Sequence, residues 1–483
     1  MESFAELEDR YRLTPVQGEK DGAIASGVLT LDREKTTVVL TCTKPVGYPY
    51  DRNGWFDLHL KGSNGVSILL HNALHTQSIT HGMKDRQFEE HIFPNAIVFG
   101  ADKLAKDGRL GSISFCLNKL RYFFWYEHFE WQSLYKATPQ QLASLRRLRR
   151  DQERRYDFFH PLELYVIHQP RRVLRFKAGD STYEIFSGYS SKGGGWSDLN
   201  LKAEPSARIT FDTPVSIDDA VNRIWTWKRF FSQVAMQTLS VEAISAGTRR
   251  RRYPEATLYL PYARVNSQEN SYPGDFHPGD APLNRWRDRG ALAEVMQRWL
   301  SKEERRRQFR ISVDDVVENM RKRASITDIV TLCSAIEGLS ELNEKTALSD
   351  AQIEVIVCGA AAAATASSIE VTPDRLRGLL KMLQHQSLPR KMNLLMRRLA
   401  TTIKKEDQKL LFKTVLELRT IAAHGRSITE MIIPRVGPTV EALASVCALF
   451  DLLTCEMPLA AHDRPINPIS RAETAIARLR RQS

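Results

Sequence analysis

The feature that most constrains this chain is a change in hydrophobic period part-way along it. From about residue 20 to 215, apolar residues fall in short alternating or β-branched runs at 27–32, 37–41, 56–61, 66–70, 97–100, 113–117, 162–167, 173–177, 182–186 and 207–211. Gly, Asn and Asp turns separate them, a pattern that predicts an antiparallel sandwich or barrel. From residue 282 onward the period is helical: 290–301, 313–323, 326–343, 349–367, 372–384, 388–403, 406–424 and 439–453 read as an all-α bundle. The expected fold class is therefore α+β multidomain, with an antiparallel β-rich N-terminal domain followed by a helical bundle.

The expected boundaries follow from composition shifts. Residues 1–245 form the β-rich domain, closed by a helix that starts at Ser216. Residues 246–310 form a connector and basic helix, holding a four-arginine run at 249–252, one short strand at 256–260 and a Pro/Gly/Asn/Asp-rich stretch at 266–282. Residues 311–483 form the bundle. A helical run at 139–155 interrupts the strands. So does the triple glycine at 193–195, which reads as a loop because no G-x-x-x-x-G-K-[ST] follows it.

With 483 residues, 42% hydrophobic and 26% charged, the chain has enough material for cores and is not a disordered or fibrous sequence. Lys and Arg outnumber Asp and Glu by 69 to 57, and the net charge of +12 favours anionic partners, nucleic acid or acidic membrane. The six cysteines show no C-x-x-C pair and read as reduced thiols of a cytoplasmic protein. Residues 1–12 open acidic and lack an apolar run, so no secretory signal is expected. The alanine-rich segment 355–369 falls short of a membrane span and reads as a buried, closely packed helix. No membrane partner and no cofactor are expected.

The strongest local signal is Glu417-Leu-Arg-Thr-Ile-Ala-Ala-His-Gly-Arg426. Arg419 and His424 are five positions apart, about 140° on an ideal helix, so they share a site only where the helix loosens towards its end. Gly425 is the residue expected just past such an end. Chemically, a guanidinium clamps phosphate oxygens and an imidazole passes a proton near neutral pH. On RNA the 2′-hydroxyl supplies the nucleophile, so phosphodiester cleavage needs neither metal nor a protein nucleophile. The bland reading is a solvated Arg419 and a His424 that caps the helix.

The R-x4-H at Arg419 and His424, followed by Gly425 in a helical region that also contains Glu337, resembles the HEPN superfamily, whose ribonucleases carry R-x4-6-H. The β-rich half with Gly22-x-Ile24 and Gly27-Val-Leu29, ahead of that HEPN-like end, resembles ApeA-type HEPN proteins of bacterial anti-phage abortive infection. The resemblance implies a metal-independent endoribonuclease that cleaves tRNA to leave a 2′,3′-cyclic phosphate. It also implies that Arg and His of two protomers meet in a homodimer or higher even-numbered assembly, and that a phage-derived trigger is possible. Many motifs of this superfamily carry Asn, Asp or His directly after the Arg, where this chain has Thr420. The site residues are thus Arg419 and His424 as catalytic, Glu337 and Thr420 as supporting, and Arg249, Arg250, Arg251 and Arg426 as RNA contacts. The alternative is a non-catalytic HEPN-like module that holds RNA or a partner, with a β-sandwich for recognition; a sugar- or peptide-binding sandwich whose helices only dimerise is a third.

Other signals weigh less. His71, His75, His81 and His91 cluster in the β half, but H-E-x-x-H fails and no metal site is expected. The aromatic block 122–126, with Phe129 and Trp131, reads as buried core rather than a base-stacking platform. The arginine-rich segments 146–155, 249–252 and 305–307 each read as solvated faces and together favour a nucleic-acid partner.

Overall fold

A short amphipathic helix opens the chain. Ser3 and Glu6 form a reciprocal capping box ahead of α1 (Phe4–Tyr11), whose Phe4, Leu7 and Tyr11 are buried. The computed structural model describes residues 1–20, 23–32, 35–44, 55–81, 87–104, 108–124, 143, 147, 171–187, 189–193, 199–203, 205–248, 256–263, 283, 290–342, 349–384, 387–423, 433–458 and 468–482. The chain divides into two units: Met1–Lys228 with Leu239–Gly279 and Leu283–Ala293, and Arg229–Thr238 with Asp280–Pro282 and Glu294–Ser483.

The first unit is an antiparallel β structure. Its strands are β1 (Leu13–Lys20), β2 (Ala23–Thr30), β3 (Thr37–Cys42), β4 (Trp55–Gly62), β5 (Ser67–His81), β6 (Gln87–Phe99), β7 (Leu110–Leu117), β8 (Arg171–Ala178), β9 (Ser181–Ser187), β10 (Tyr189–Gly193), β11 (Leu199–Ala203), β12 (Ser206–Val215), β13 (Val241–Gly247) and β14 (Ala256–Tyr259). Twelve of these described strands form one sheet in the order β3-β2-β1-β4-β5-β6-β14-β13-β7-β12-β9-β8, and β10 pairs with β11 separately. Because β3 also pairs with β6, strands β1 to β6 close on themselves into a barrel. One edge of β6 is shared, with Phe88 to Ile92 facing β3 and Ile97 to Phe99 facing β14, so the sheet continues outward from the barrel wall. A bulge between His75 and Gln77 bends β5 beside that junction.

Closure is tight where β2 crosses β3. A Cβ on Gly27 would collide with the Val39 carbonyl and come within 2.8 Å of Leu40 Cα. The glycine of the Gly27-Val-Leu29 run is therefore a requirement of backbone approach. Inside the barrel, Val16, Leu29, Leu40, Leu58, Ile68 and Ile92 are buried, in keeping with period-2 alternation. Helix α2 (Ile217–Ala235) follows β12. Its residues to Lys228 belong to the first unit and those from Arg229 to the second, so it is not confined to the β region.

The second unit is helical: α3 (Ala291–Ser301) from Glu294 onward, α4 (Glu303–Arg323), α5 (Ile326–Gly338), α6 (Asp350–Ala366), α7 (Pro373–Gln384), α8 (Leu388–Arg398), α9 (Lys405–Ala423), α10 (Ile433–Leu453) and α11 (Pro468–Arg481). Helix α10 is long and apolar enough to cross a membrane, but 83% of its apolar window is buried, as in the core helix of a bundle. It packs on α4, α5, α9 and α11.

Two readings of the sequence need correction. Segment 355–369 is not a buried helix: in α6 only Ile353 and Val357 are buried, while Val355 and Ile356 lie exposed. Alanine methyls offer little area to bury, and the hairpin of α6 and α7 is served by those two larger residues. Segment 305–307 is not wholly a solvated face, because Arg306 is 1% exposed. Strands β1 and β13, hairpin β10/β11 and helices α1 and α11 were not legible in the pattern. The segments 139–142, 144–146, 148–155, 162–167 and 266–282, together with Trp125, Tyr126, Phe129, Trp131 and Gly22, lie outside the described residues. Of the aromatic block, Phe123 and Phe124 are fully buried, consistent with core.

Candidate functional site

Helices α5 and α9 bring the candidate side chains together. Helix α5 starts at Ser325, which forms a capping box with Asp328, and buries Ile329, Leu332, Cys333 and Ile336. Helix α9 buries Leu411, Thr414, Val415 and Leu418. The apolar stripes pack against each other. Glu337, one turn after Cys333, and Arg419, beside Leu418, flank that seam. Arg419 Nη2 donates to Glu337 Oε1 at 2.8 Å, and both side chains remain just over one-third exposed. The guanidinium is thus oriented by a carboxylate while keeping open donors for an anion.

The Thr420 hydroxyl donates to the Leu416 carbonyl of its own helix at 2.7 Å, a local bond that holds the side chain against the helix. In α9, two residues before Arg419, Glu417 accepts from both Nη atoms of Arg435, at 2.9 and 3.2 Å. The Arg435 hydrogen bonds hold the Glu417 carboxyl below the usual carboxylate range despite partial burial. This bidentate pair ties α9 to α10. His424 follows Ala423, the last residue of α9, directly in sequence. His424, Gly425, Arg426, Arg249, Arg250, Arg251 and Arg252 lie outside the described residues.

Sequence reasoning missed the polar network that holds the unit together. Asp451, wholly buried in α10, accepts from Arg306 Nη1 at 2.5 Å and from Arg310 Nε and Nη2 at 2.7 and 3.1 Å. Arg306 also pairs with Glu341, and Arg310 with Glu303 at 2.8 Å, which in turn binds Arg229 at 2.8 Å. Among these residues three guanidinium groups meet three carboxylates, so buried charge is compensated. Arg310 also lies 3.6 Å over the Trp299 ring. Burial alone would raise the Asp451 carboxyl; Arg310 and then Arg306 outweigh it and hold it below the usual range. The available signal was Arg306 and Arg310 four apart on a helix whose face also carries Phe309.

In the β unit the histidines form separate pairs. His71 contacts Asp57 at 3.0 Å and Asp218 at 3.3 Å, His75 contacts the buried Glu90 at 2.6 Å, and His91 contacts Glu89 at 2.9 Å. Among the described residues no three such groups converge on a metal position. All six cysteines are free thiols.

The profile of the family described as ApeA N-terminal domain 1 matches residues 19–299, more than half of the chain. The chain belongs to the ApeA family. It is thereby an ApeA-type protein of anti-phage abortive infection, and the matched region covers strands β2 to β14, α2 and most of α3, while β1 lies almost wholly ahead of it. No curated protein and no solved structure matches the chain. The ApeA profile stops short of Glu337 and Arg419, which lie in the helical unit beyond it.

Proposed function

We propose that the helical unit of this ApeA-family chain is a HEPN-like, metal-independent endoribonuclease that cleaves RNA, tRNA foremost, to abort phage infection in the cytoplasm, with the β unit sensing or restraining. The observation that carries the reading is the pair of Glu337 on α5 with Arg419 in the last turns of α9, five residues ahead of His424 in sequence. A part-exposed guanidinium held from behind suits a phosphate whose charge grows in the transition state.

In this reading Arg419 binds the scissile phosphate and stabilises its pentacovalent charge. His424 takes the proton of the 2′-hydroxyl or gives one to the leaving 5′-oxygen. The 2′-oxygen attacks phosphorus, the P–O5′ bond breaks, and the products are a 2′,3′-cyclic phosphate and a 5′-hydroxyl. One Arg and one His per chain make half of a two-fold site, so the active species is an even-numbered homo-oligomer. Thr420, bonded within its own helix, does not orient Arg419; Glu337 fills that role.

The test is a separation of cutting from holding. Induced in bacteria, the wild-type chain should stop growth once triggered by phage, while His424→Ala should be harmless yet retain RNA in filter binding with a steep salt dependence. Equal toxicity of wild type and variant would refute the reading. Toxicity in neither, with salt-dependent RNA binding in both, would leave the non-catalytic RNA-holding module.

A further inference from the structure

Next to the Glu337–Arg419 pair lies a lysine that neither the motif nor the proposed chemistry uses. Lys391, on α8, is 4% exposed, a rare state for a lysine. Its Nζ donates to the main-chain carbonyls of Glu337 and Leu339, the latter at 3.3 Å. The first is a carbonyl of the last turn of α5 and the second that of its C-cap residue, which also accepts from the Leu342 N–H at 3.3 Å, at the helix end where a positive charge is favoured. Burial pushes the Lys391 ammonium below the usual lysine range, and the nearby Glu337 charge works the other way. Desolvating an ammonium to reach only carbonyls is costly, and packing alone would be met by methionine or leucine.

Glu337 is the residue where two contacts meet. Its carbonyl accepts from Lys391 and its carboxylate accepts from Arg419. The final turn of α5 ends at Leu339, whose N–H returns to the Ile336 carbonyl, and Glu341 in the turn that follows is held by the buried Arg306. Two cations therefore grip the chain on either side of Leu339. Without Lys391 the last turn could unwind by a residue, and a shift of that size moves the Glu337 carboxylate away from Arg419.

We propose that Lys391 is a positioning residue: by bridging the Glu337 carbonyl in the last turn of α5 and the carbonyl of its C-cap Leu339, it fixes that turn and so presents the Glu337 carboxylate to Arg419. The importance of this for RNA cleavage rests on the function proposed above; the positioning itself does not.

The experiment reads the two separately in the full-length protein. Glu337→Gln, Arg419→Gln and the double variant form a cycle whose coupling is read as hydrogen-exchange protection of α5 and α9, once with Lys391 and once with Lys391→Met. A part-exposed pair should couple by about two- to fivefold in protection. That factor should fall to unity with Lys391→Met and persist with Lys391→Arg, which keeps the charge and donors; should the methionine variant fail to fold, Lys391→Gln replaces it. Coupling unchanged by loss of the ammonium would overturn the proposal. In RNA cleavage, Lys391→Met should lower kcat about ten- to a hundredfold with little change in KM, and should cause no further loss on top of Glu337→Gln. Losses that multiply would overturn it, since they would show Lys391 acting independently. If wild type and Arg419→Gln cleave equally, the ribonuclease reading fails while the exchange coupling still decides the role of Lys391.

Discussion

Replacing Asp451 with Asn tests how the helical unit is held together. The side chain keeps its volume but loses its charge, and the amide nitrogen then faces guanidinium donors where a carboxylate oxygen accepted. Asp451 receives three charge-assisted hydrogen bonds, from Arg306 at 2.5 Å and from Arg310 at 2.7 and 3.1 Å, with no solvent exposure at any of the three side chains. Leaving two buried guanidinium groups short of a counter-charge costs about 3–5 kcal/mol. Against a domain stability of roughly 5–15 kcal/mol, that is a large share. Because the chain has two units, a bulk melting curve is not two-state; hydrogen exchange of peptides from α4 and α10 reads the event locally. Protection there should fall roughly a hundred- to several-thousandfold. Asp374→Asn, which removes an exposed partner of Arg377, is the control and should change protection by less than about fivefold. Equal effects of the two substitutions would refute the reasoning. The pH dependence has a definite sign: a carboxyl held low in the folded state stabilises above its unfolded value of about 4 and loses that stabilisation as pH falls through the folded value.

Three further outcomes follow from the geometry. Burial would lower the His71 imidazole, but Asp57 and then Asp218 outweigh it and raise it; this stabilisation is present below about pH 6.5 and lost as pH rises through the folded value. Exchange protection of β4 and β5 should therefore decline across that window in wild type, and an identical decline in His71→Gln would contradict the clamp. Gly27→Ala forces β2 off β3 and should cost about 1–3 kcal/mol, whereas Gly359→Ala, in open space on α6, should stabilise its helix by about 0.5–1 kcal/mol; hydrogen-exchange protection that moves the same way in β2 and β3 for the first and in α6 for the second would refute the distinction. Burial pushes the Cys42 and Cys333 thiols up to about 12, Cys455 up to about 11 and Cys447 higher still. Iodoacetamide at neutral pH should then modify the exposed Cys358 well before those four, as read by peptide mass spectrometry; early labelling of Cys447 would count against the core.

The sequence made the broad architecture readable because period is a local property. Runs such as Thr37-Val-Val-Leu-Thr41 and Ile209-Thr-Phe211 declare strands on their own, and Ser325-Ile-Thr-Asp328 declares a helix start. What stayed hidden depends on partners far apart in the chain. The β3–β6 pairing that closes the barrel, and the meeting of Arg306 and Arg310 with Asp451, have no local signature. Arg306 sits in a basic run that looks solvated, while α6 looks buried because its alanines score as apolar though they have little to bury. Glu337 was legible as a glutamate flanked by Ile336 and Leu339 on an early helix of the bundle; Lys391 was not, since nothing around it distinguishes a buried capping lysine from a surface one.

The central claim is that Arg419 and His424 cut RNA without metal. Wild-type, Arg419→Ala and His424→Ala proteins would be incubated with total bacterial RNA and phage lysate in EDTA, and the new ends mapped with their terminal chemistry. Discrete cuts ending in 2′,3′-cyclic phosphate in the wild type, absent from both variants, are the predicted result. Intact RNA with all three proteins, or the same cuts with either variant, would contradict it.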